Sequence, residues 1–220
     1  MIAYELITDE VPPLKPTDTS KKVLEWMDDF RVLHLPVVSK RNFLGLVSSS
    51  EIIDLNDPKK SIDQLHVPLI KAFVRFDFHI FDVLKVFSNF NVSAVAVLDE
   101  QDNYIGVITG ESIIKKLVAM PFVNEPGGII VLEMNVRDYL LSQIAQIIEG
   151  NDAKILNMYI AAHPDTSKIE VTLKINKMDL SSILQTFNRY NYSVKATFHQ
   201  SQFGGDVKRR YDEFLHFLNI

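Results

Sequence analysis

Along residues 17–53, apolar positions at helical spacing alternate with short apolar runs, and the same order returns over residues 77–114. Val23-Leu24 recurs as Val83-Leu84, Phe30 as Phe90, Val32 as Val92 and Val37 as Val97, each 60 positions on. After a one-residue insertion, Gly45-Leu46-Val47-Ser48 recurs as Gly106-Val107-Ile108-Thr109, and Ile52-Ile53 as Ile113-Ile114. In the first copy the spacing of Val23, Leu24, Met27 and Phe30 predicts a helix. Thr17, Asp18, Thr19 and Ser20 offer side-chain oxygens to cap it. Apolar runs at 35–38 and 43–47 flank a polar turn and read as paired strands, and a short helix starts near Glu51. The second copy places Phe81, Leu84, Phe87 and Phe90 on a helix, strands over 94–98 and 104–108, and a helix over 111–119. A repeated supersecondary unit seldom buries its apolar face alone. The two copies should pack together, and the cleft between them is where function is expected.

The pattern breaks over 120–128, where Pro121, Pro126, Gly127 and Gly128 signal a linker. A different unit follows. Apolar alternation predicts strands over 129–134, 154–161, 168–175 and 193–198, with amphipathic helices over 138–149 and 180–189. A polar turn at His163-Pro-Asp-Thr166 joins the two middle strands. The order βαββαβ is that of a ferredoxin-like sandwich, two helices over one face of an antiparallel sheet. Asn135, Arg137 and Asp138 should cap the first helix of that unit. Beyond Gly204-Gly205, residues Val207, Tyr211, Phe214, Leu215 and Leu218 share one face of a last helix, which must be covered by its own chain or by a second copy. The expected organisation is a repeated pair over 1–120 (units 1–58 and 59–120), a linker at 121–128, a ferredoxin-like domain at 129–199 and a C-terminal helix at 200–220.

Composition narrows the function classes. A net charge of −5 with scattered basic pairs gives no clustered basic face for nucleic acid. The absence of cysteine removes disulfides, thiolate metal sites and a thiol nucleophile, and fits a reducing compartment. No apolar run is long enough to suggest a membrane span, and the acidic first ten residues lack the features of a signal peptide. The expectation is a cytoplasmic protein that works away from membranes and nucleic acid.

At Leu35-Pro-Val-Val38 and Gly45-Leu-Val-Ser-Ser-Ser-Glu51 the first repeat resembles a CBS domain, and Gly106-Val-Ile-Thr-Gly-Glu-Ser112 carries the same signature in the second. The resemblance implies two βαββα repeats packed pseudo-symmetrically, with central clefts that often take adenosine nucleotides. In the family's pattern, Gly-apolar-x-Ser/Thr-x-x-Asp, hydroxyl and acid hold ribose oxygens while the glycine lets the backbone approach. Carried over, Ser48 and Thr109 supply the hydroxyls, and Glu51 and Ser112 stand where the acid is expected. A carboxylate one helical turn after the hydroxyl can accept from both ribose hydroxyls, whereas a serine makes a weaker neutral bond. The Glu51 cleft is therefore expected to be the stronger. The adenine-lining positions fall on Leu33 and His34 in repeat one and on Ser93 and Ala94 in repeat two. Lys71 and Arg75 are candidate phosphate contacts. The implied ligands are AMP, ADP, ATP or S-adenosylmethionine.

The stretch Ser142-Gln-Ile-Ala-Gln-Ile-Ile-Glu-Gly150 with Ala153-Lys-Ile-Leu156 resembles an ACT domain, a small regulatory module that usually dimerises. That family's amino-acid site needs a glycine at the first strand–helix turn, close to the position Tyr139 takes here. The order CBS–CBS–ACT resembles the acetoin-utilisation accessory proteins and implies a homodimer.

Signs of an enzyme are few. The six histidines show no i, i+4 pair and no Glu-x-x-His element, so no metal site is expected. Neither a nucleophile elbow nor a Gly-rich phosphate loop is present. The sequence therefore points to a non-catalytic regulatory protein that senses an adenosine nucleotide. The alternative is a ligand-free dimerisation module that docks on a partner enzyme or transporter.

Overall fold

A computed structural model describes residues 1–162 and 167–198. The turn at 163–166 and the expected C-terminal helix at 200–220 lie outside these described residues. The chain forms two compact units divided between Val118 and Ala119.

In the first unit, repeat one holds α1 (Ser20–Asp29), β1 (His34–Ser39), β2 (Asn42–Ser48) and α2 (Ser49–Leu55), followed by the single turn α3 (Ile62–Leu65). Repeat two holds β3 (Phe73–Arg75), α4 (Ile80–Phe90), β4 (Ala94–Leu98), β5 (Tyr104–Thr109) and α5 (Gly110–Val118). Thr19 caps α1 by accepting from the Lys22 N–H, and His79 caps α4 at the equivalent position through the Phe81 N–H. Both hairpins are antiparallel, and each has a bulge at the same place, between Val37 and Val38 and between Val97 and Leu98. Leu14 forms a parallel bridge to Val37, just as Val74 pairs in parallel with Val97.

The repeats exchange their leading segments. Thr8 bridges Val107 on β5 of repeat two, and Ile70 bridges Leu46 on β2 of repeat one. The signature glycines make this crossing possible. A Cβ on Gly45, which has φ +138°, would stand 2.6 Å from the Leu69 Cβ; on Gly106 it would stand 2.5 Å from the Ile7 Cγ2. These glycines therefore admit the other repeat's entering chain. The resemblance implied that they admit a ligand.

The apolar cores mix both repeats. Val38, Phe43 and Leu46 pack with Val83, Val95, Val97 and Ile108, while Ala94 and Val107 join Val23, Leu35, Val37 and Val47. Burying each large aliphatic side chain contributes roughly 1.5–3 kcal/mol, so neither repeat keeps its core without the other. On α4 the buried stripe is Ile80 and Val83; Phe81, Leu84 and Phe90, apolar positions of the expected helix, are exposed.

The second unit opens with α6 (Pro121–Asn124), a helical turn inside the expected linker that packs against β7. Proline at its first position costs nothing there, because the missing N–H has no partner in a first turn. Then come β6 (Gly128–Asn135), α7 (Leu141–Glu149), β7 (Ile155–Ala162), β8 (Lys168–Ile175), α8 (Ser181–Arg189) and β9 (Ser193–Phe198). The sheet order is β7-β8-β6-β9, all neighbours antiparallel, which is the ferredoxin-like topology. Ile130, Leu132, Val171 and Leu173 meet Ile144, Ile148, Ile183 and Phe187 in the layer between sheet and helices. The expected caps of α7 are not formed. Asn135 Nδ2 instead donates to Asp138 Oδ2 at 2.7 Å within a 3-10 turn, and α7 starts at Leu141 without a side-chain cap.

Candidate functional site

The strand starts of the two hairpins meet across the pseudo-twofold. The Leu33 N–H donates to Ser93 Oγ at 2.9 Å, and the Ser93 N–H donates to His34 Nδ1 at 3.2 Å. Ser93 Oγ lies 3.3 Å from the same ring nitrogen. Accepting at Nδ1 leaves the ring proton on Nε2 of a neutral imidazole. Burial also lowers the His34 pKa from its ordinary value, because charge is disfavoured away from water.

Each candidate hydroxyl sits opposite these residues in register, Ser48 across from His34 and Thr109 across from Ala94. At the first, Ser48 Oγ accepts from the Ser50 N–H at 3.2 Å and lies 2.6 Å from Ser50 Oγ. The Ser49 N–H donates to the Leu33 carbonyl at 2.9 Å, so both backbone groups of Leu33 are engaged while its side chain is exposed. At the second, Thr109 and Ser112 form a reciprocal cap. Ser112 N–H donates to Thr109 Oγ1 at 3.1 Å and Thr109 N–H to Ser112 Oγ at 3.1 Å, while Ser112 Oγ donates to the Thr109 carbonyl at 2.9 Å. Both side chains are buried.

Leu33, His34, Ser48, Ser93, Ala94, Thr109 and Ser112 are thus joined into one continuous ribbon. Glu51 stands exposed on the first turn of α2. A cleft of about 280 Å³ opens at Thr109 and Ser112, the end expected to be weaker. Its other walls are Thr8, Glu10 and Val11 from the crossing segment and Asp29, Phe30 and Arg31 from the end of α1. Arg31 takes a left-handed conformation, φ 53°, as Asn91 does at the matching end of α4. Lys115 lies between two carboxylates, 3.1 Å from Glu10 and 3.0 Å from Glu111, and these partners raise its pKa, Glu111 foremost.

Sequence reasoning missed the residues at 8–11 and 29–31, because they reach the cleft only through the exchange of leading segments. The i, i+4 pair Glu111–Lys115 was legible on α5. Lys71 and Arg75 do not meet the cleft. Lys71 Nζ donates to the Leu44 carbonyl at 2.6 Å, and Arg75 pairs with Asp102 at 2.9 Å beside Leu98, at the far end of β4 from Ala94.

Residues 3–56 and 68–119 match the CBS domain family. Residues 3–119 are a tandem pair of CBS domains. Among curated proteins, an uncharacterized protein of Methanocaldococcus jannaschii is 24% identical over 114 residues, a match spanning 52% of this chain and 43% of that one. The chain spans less than half the length of the curated relatives it matches. Among solved structures, a CBS domain pair/ACT domain protein from Thermotoga maritima is 21% identical with a TM-score of 0.48, covering 54% of this chain and 97% of that one. CBSX2, solved in complex with AMP, is 18% identical with a TM-score of 0.46 over 53% and 96% of the two chains. Among the described residues, no cluster of three or more His, Asp or Glu could hold a metal ion, and no helix is long and apolar enough to cross a membrane.

Proposed function

We propose that the CBS pair is a regulatory module that takes an adenosine-containing ligand in the cleft at Thr109 and Ser112. The observation that carries this reading is the cleft itself, which lies between elements of both repeats, beside one signature hydroxyl. Its volume, about 280 Å³, is at the small end for small-molecule sites. That size suits the nucleoside, with the phosphates directed to solvent. The charged lining, Glu10, Asp29 and Glu111 against Arg31 and Lys115, carries one more carboxylate than cation. It favours adenosine, AMP or the cationic S-adenosylmethionine over ADP and ATP. A ligand gripping residues 8–11 and 109–115 together biases the packing of the repeats, provided it binds one packing better than another.

Within this reading the second unit is an ACT-like dimerisation module in a cytoplasmic homodimer, as in the acetoin-utilisation accessory proteins. Exposed apolar side chains on α2, α4 and α5 (Ile53, Leu84, Phe90 and Ile114) support assembly with a second copy or a partner protein. A second reading, a ligand-free interaction module, is favoured by one observation: Thr109 and Ser112 already satisfy each other's hydrogen bonds.

Thermal unfolding with adenosine, AMP, ADP, ATP and S-adenosylmethionine separates the two. A ligand at 100 times its dissociation constant adds about 2.7 kcal/mol, a shift of several degrees. Arg31→Ala should reduce that shift and Glu51→Ala leave it intact. No shift with any of the five at millimolar concentration, together with no nucleotide co-purifying by mass spectrometry, selects the interaction module.

A further inference from the structure

Where the leading segment of repeat one passes the end of β1, a groove of about 460 Å³ opens, within the range of small-molecule sites. It shares no residue with the cleft at Thr109. Pro13 and Pro16 give it an apolar side, with Leu14 and Val38 buried beneath. Its polar side is formed by Lys15, Thr17, Ser39 and Lys40, all exposed. No carboxylate lines it. Asp18, the acid that follows in the chain, is already engaged. Its Oδ2 accepts from the Lys15 N–H at 2.7 Å, and its Oδ1 pairs with Lys22 at 2.7 Å. Among the described residues, neither Lys15 nor Lys40 has a carboxylate partner, and the Thr17 and Ser39 hydroxyls make no hydrogen bond.

Repeat two has the same backbone at this place and the opposite charge. Val74 pairs in parallel with Val97 as Leu14 does with Val37, and the bulge that follows is equivalent. Yet 60 positions after Lys15, Thr17, Ser39 and Lys40 stand Arg75, Asp77, Asp99 and Glu100. There the cation is neutralised, Arg75 pairing with Asp102 at 2.9 Å. The shared fold therefore does not require open cations here. Repeat one keeps two ammonium groups on one groove without a counter-charge, and a bound anion relieves their repulsion. We infer that this groove binds a phosphate monoester whose ester group is apolar. Two lysines act as point charges toward a phosphate, which carries a charge near −2 at neutral pH. The Thr17 and Ser39 hydroxyls are placed to donate to its remaining oxygens. A carboxylate carries less charge, and the planar guanidinium that best matches it is missing from the lining. The rigid faces of Pro13 and Pro16 take the ester group and leave water with it.

Titrating the isotope-labelled full chain with phenyl phosphate, inorganic phosphate and benzoate, read by NMR at the backbone amides of residues 14–17 and 38–40, tests this directly. Phenyl phosphate should give saturable shifts there, with binding at least about tenfold tighter than either of the other two. Lys40→Glu installs the residue that repeat two carries, and should weaken phenyl phosphate about tenfold or more. Lys15→Gln should do the same, and Glu100→Lys, in the other copy, should leave binding unchanged. Both lysines are exposed, so the unfolding midpoints of these variants without ligand should match that of the native chain. Equal binding of benzoate would overturn the choice of phosphate, and equal binding of inorganic phosphate would remove the apolar side from the site. Shifts that do not saturate, shifts confined to residues 109–115, or full binding by Lys40→Glu would overturn the inference outright.

Discussion

His34 and Ser93 hold the two repeats together at the pseudo-twofold, the Ser93 N–H donating to His34 Nδ1 at 3.2 Å and its hydroxyl lying 3.3 Å from the same nitrogen. Leu33 and Ser93 are equivalent positions in the two copies, so an element of internal symmetry is locked by an asymmetric contact. The contact needs an imidazole that accepts, which makes it sensitive to protonation.

Stability should therefore depend on pH through His34. Its folded pKa lies below the ordinary 6.5 because of burial. Between those values the unfolded chain binds a proton that the folded chain does not, so stability rises with pH across that window. The contribution is complete above about 6.5 and is lost as pH falls toward the folded value. The unfolding midpoint measured from pH 7.5 to 5 should fall more steeply for the native chain than for His34→Asn. Equal slopes would remove His34 as the titrating group.

Gly45 and Gly106 should differ in tolerance. Alanine at 45 adds backbone strain at φ +138° to a clash with the Leu69 Cβ at 2.6 Å, whereas alanine at 106 meets only the side chain of Ile7. Urea unfolding should show losses of about 2–4 kcal/mol for Gly45→Ala and about 1–3 kcal/mol for Gly106→Ala. The reverse order would mean that the crossing segments are not held by these contacts.

Ser112→Ala removes a buried cap and leaves the Thr109 N–H without its acceptor. The cost should be about 2 kcal/mol. Ser50→Ala, at an exposed position beside Ser48, should stay within about 0.5 kcal/mol. Chemical denaturation of the two variants side by side makes the comparison.

Glu10→Gln should alter ligand choice without altering the fold. It frees Lys115 from one of its two carboxylate partners and makes the charges lining the cleft balance. Calorimetric titration should then show AMP gaining affinity relative to adenosine, with the gain reduced by salt. An unchanged ratio would place the phosphate away from Lys115.

The local elements were legible because each rests on periodicity and end chemistry. The doubled pattern and both hairpins follow from spacing, as does the βαββαβ order of the second unit; end chemistry narrowed the cap of α1 to residues 17–20, and the structure assigns it to Thr19. The helix stripes were less legible. Phe81, Leu84 and Phe90 are as apolar as Ile80 and Val83, yet the latter pair is buried, because periodicity marks a face without naming the surface opposite it. Asn135 and Asp138 illustrate the same limit at a helix end: they satisfy each other before they reach the helix.

The sequence alone determined that two copies of one unit exist, which hydroxyls end their hairpins, and that Ser112 and Glu51 differ in charge. Only the tertiary structure decided where an open cleft forms. That choice depends on Thr8 reaching Val107 and Ile70 reaching Leu46, contacts between segments far apart in the chain. Side-chain chemistry sets what a position can bind. The crossing of distant backbone sets whether that position faces a cavity, as at Thr109, or open solvent, as at Glu51.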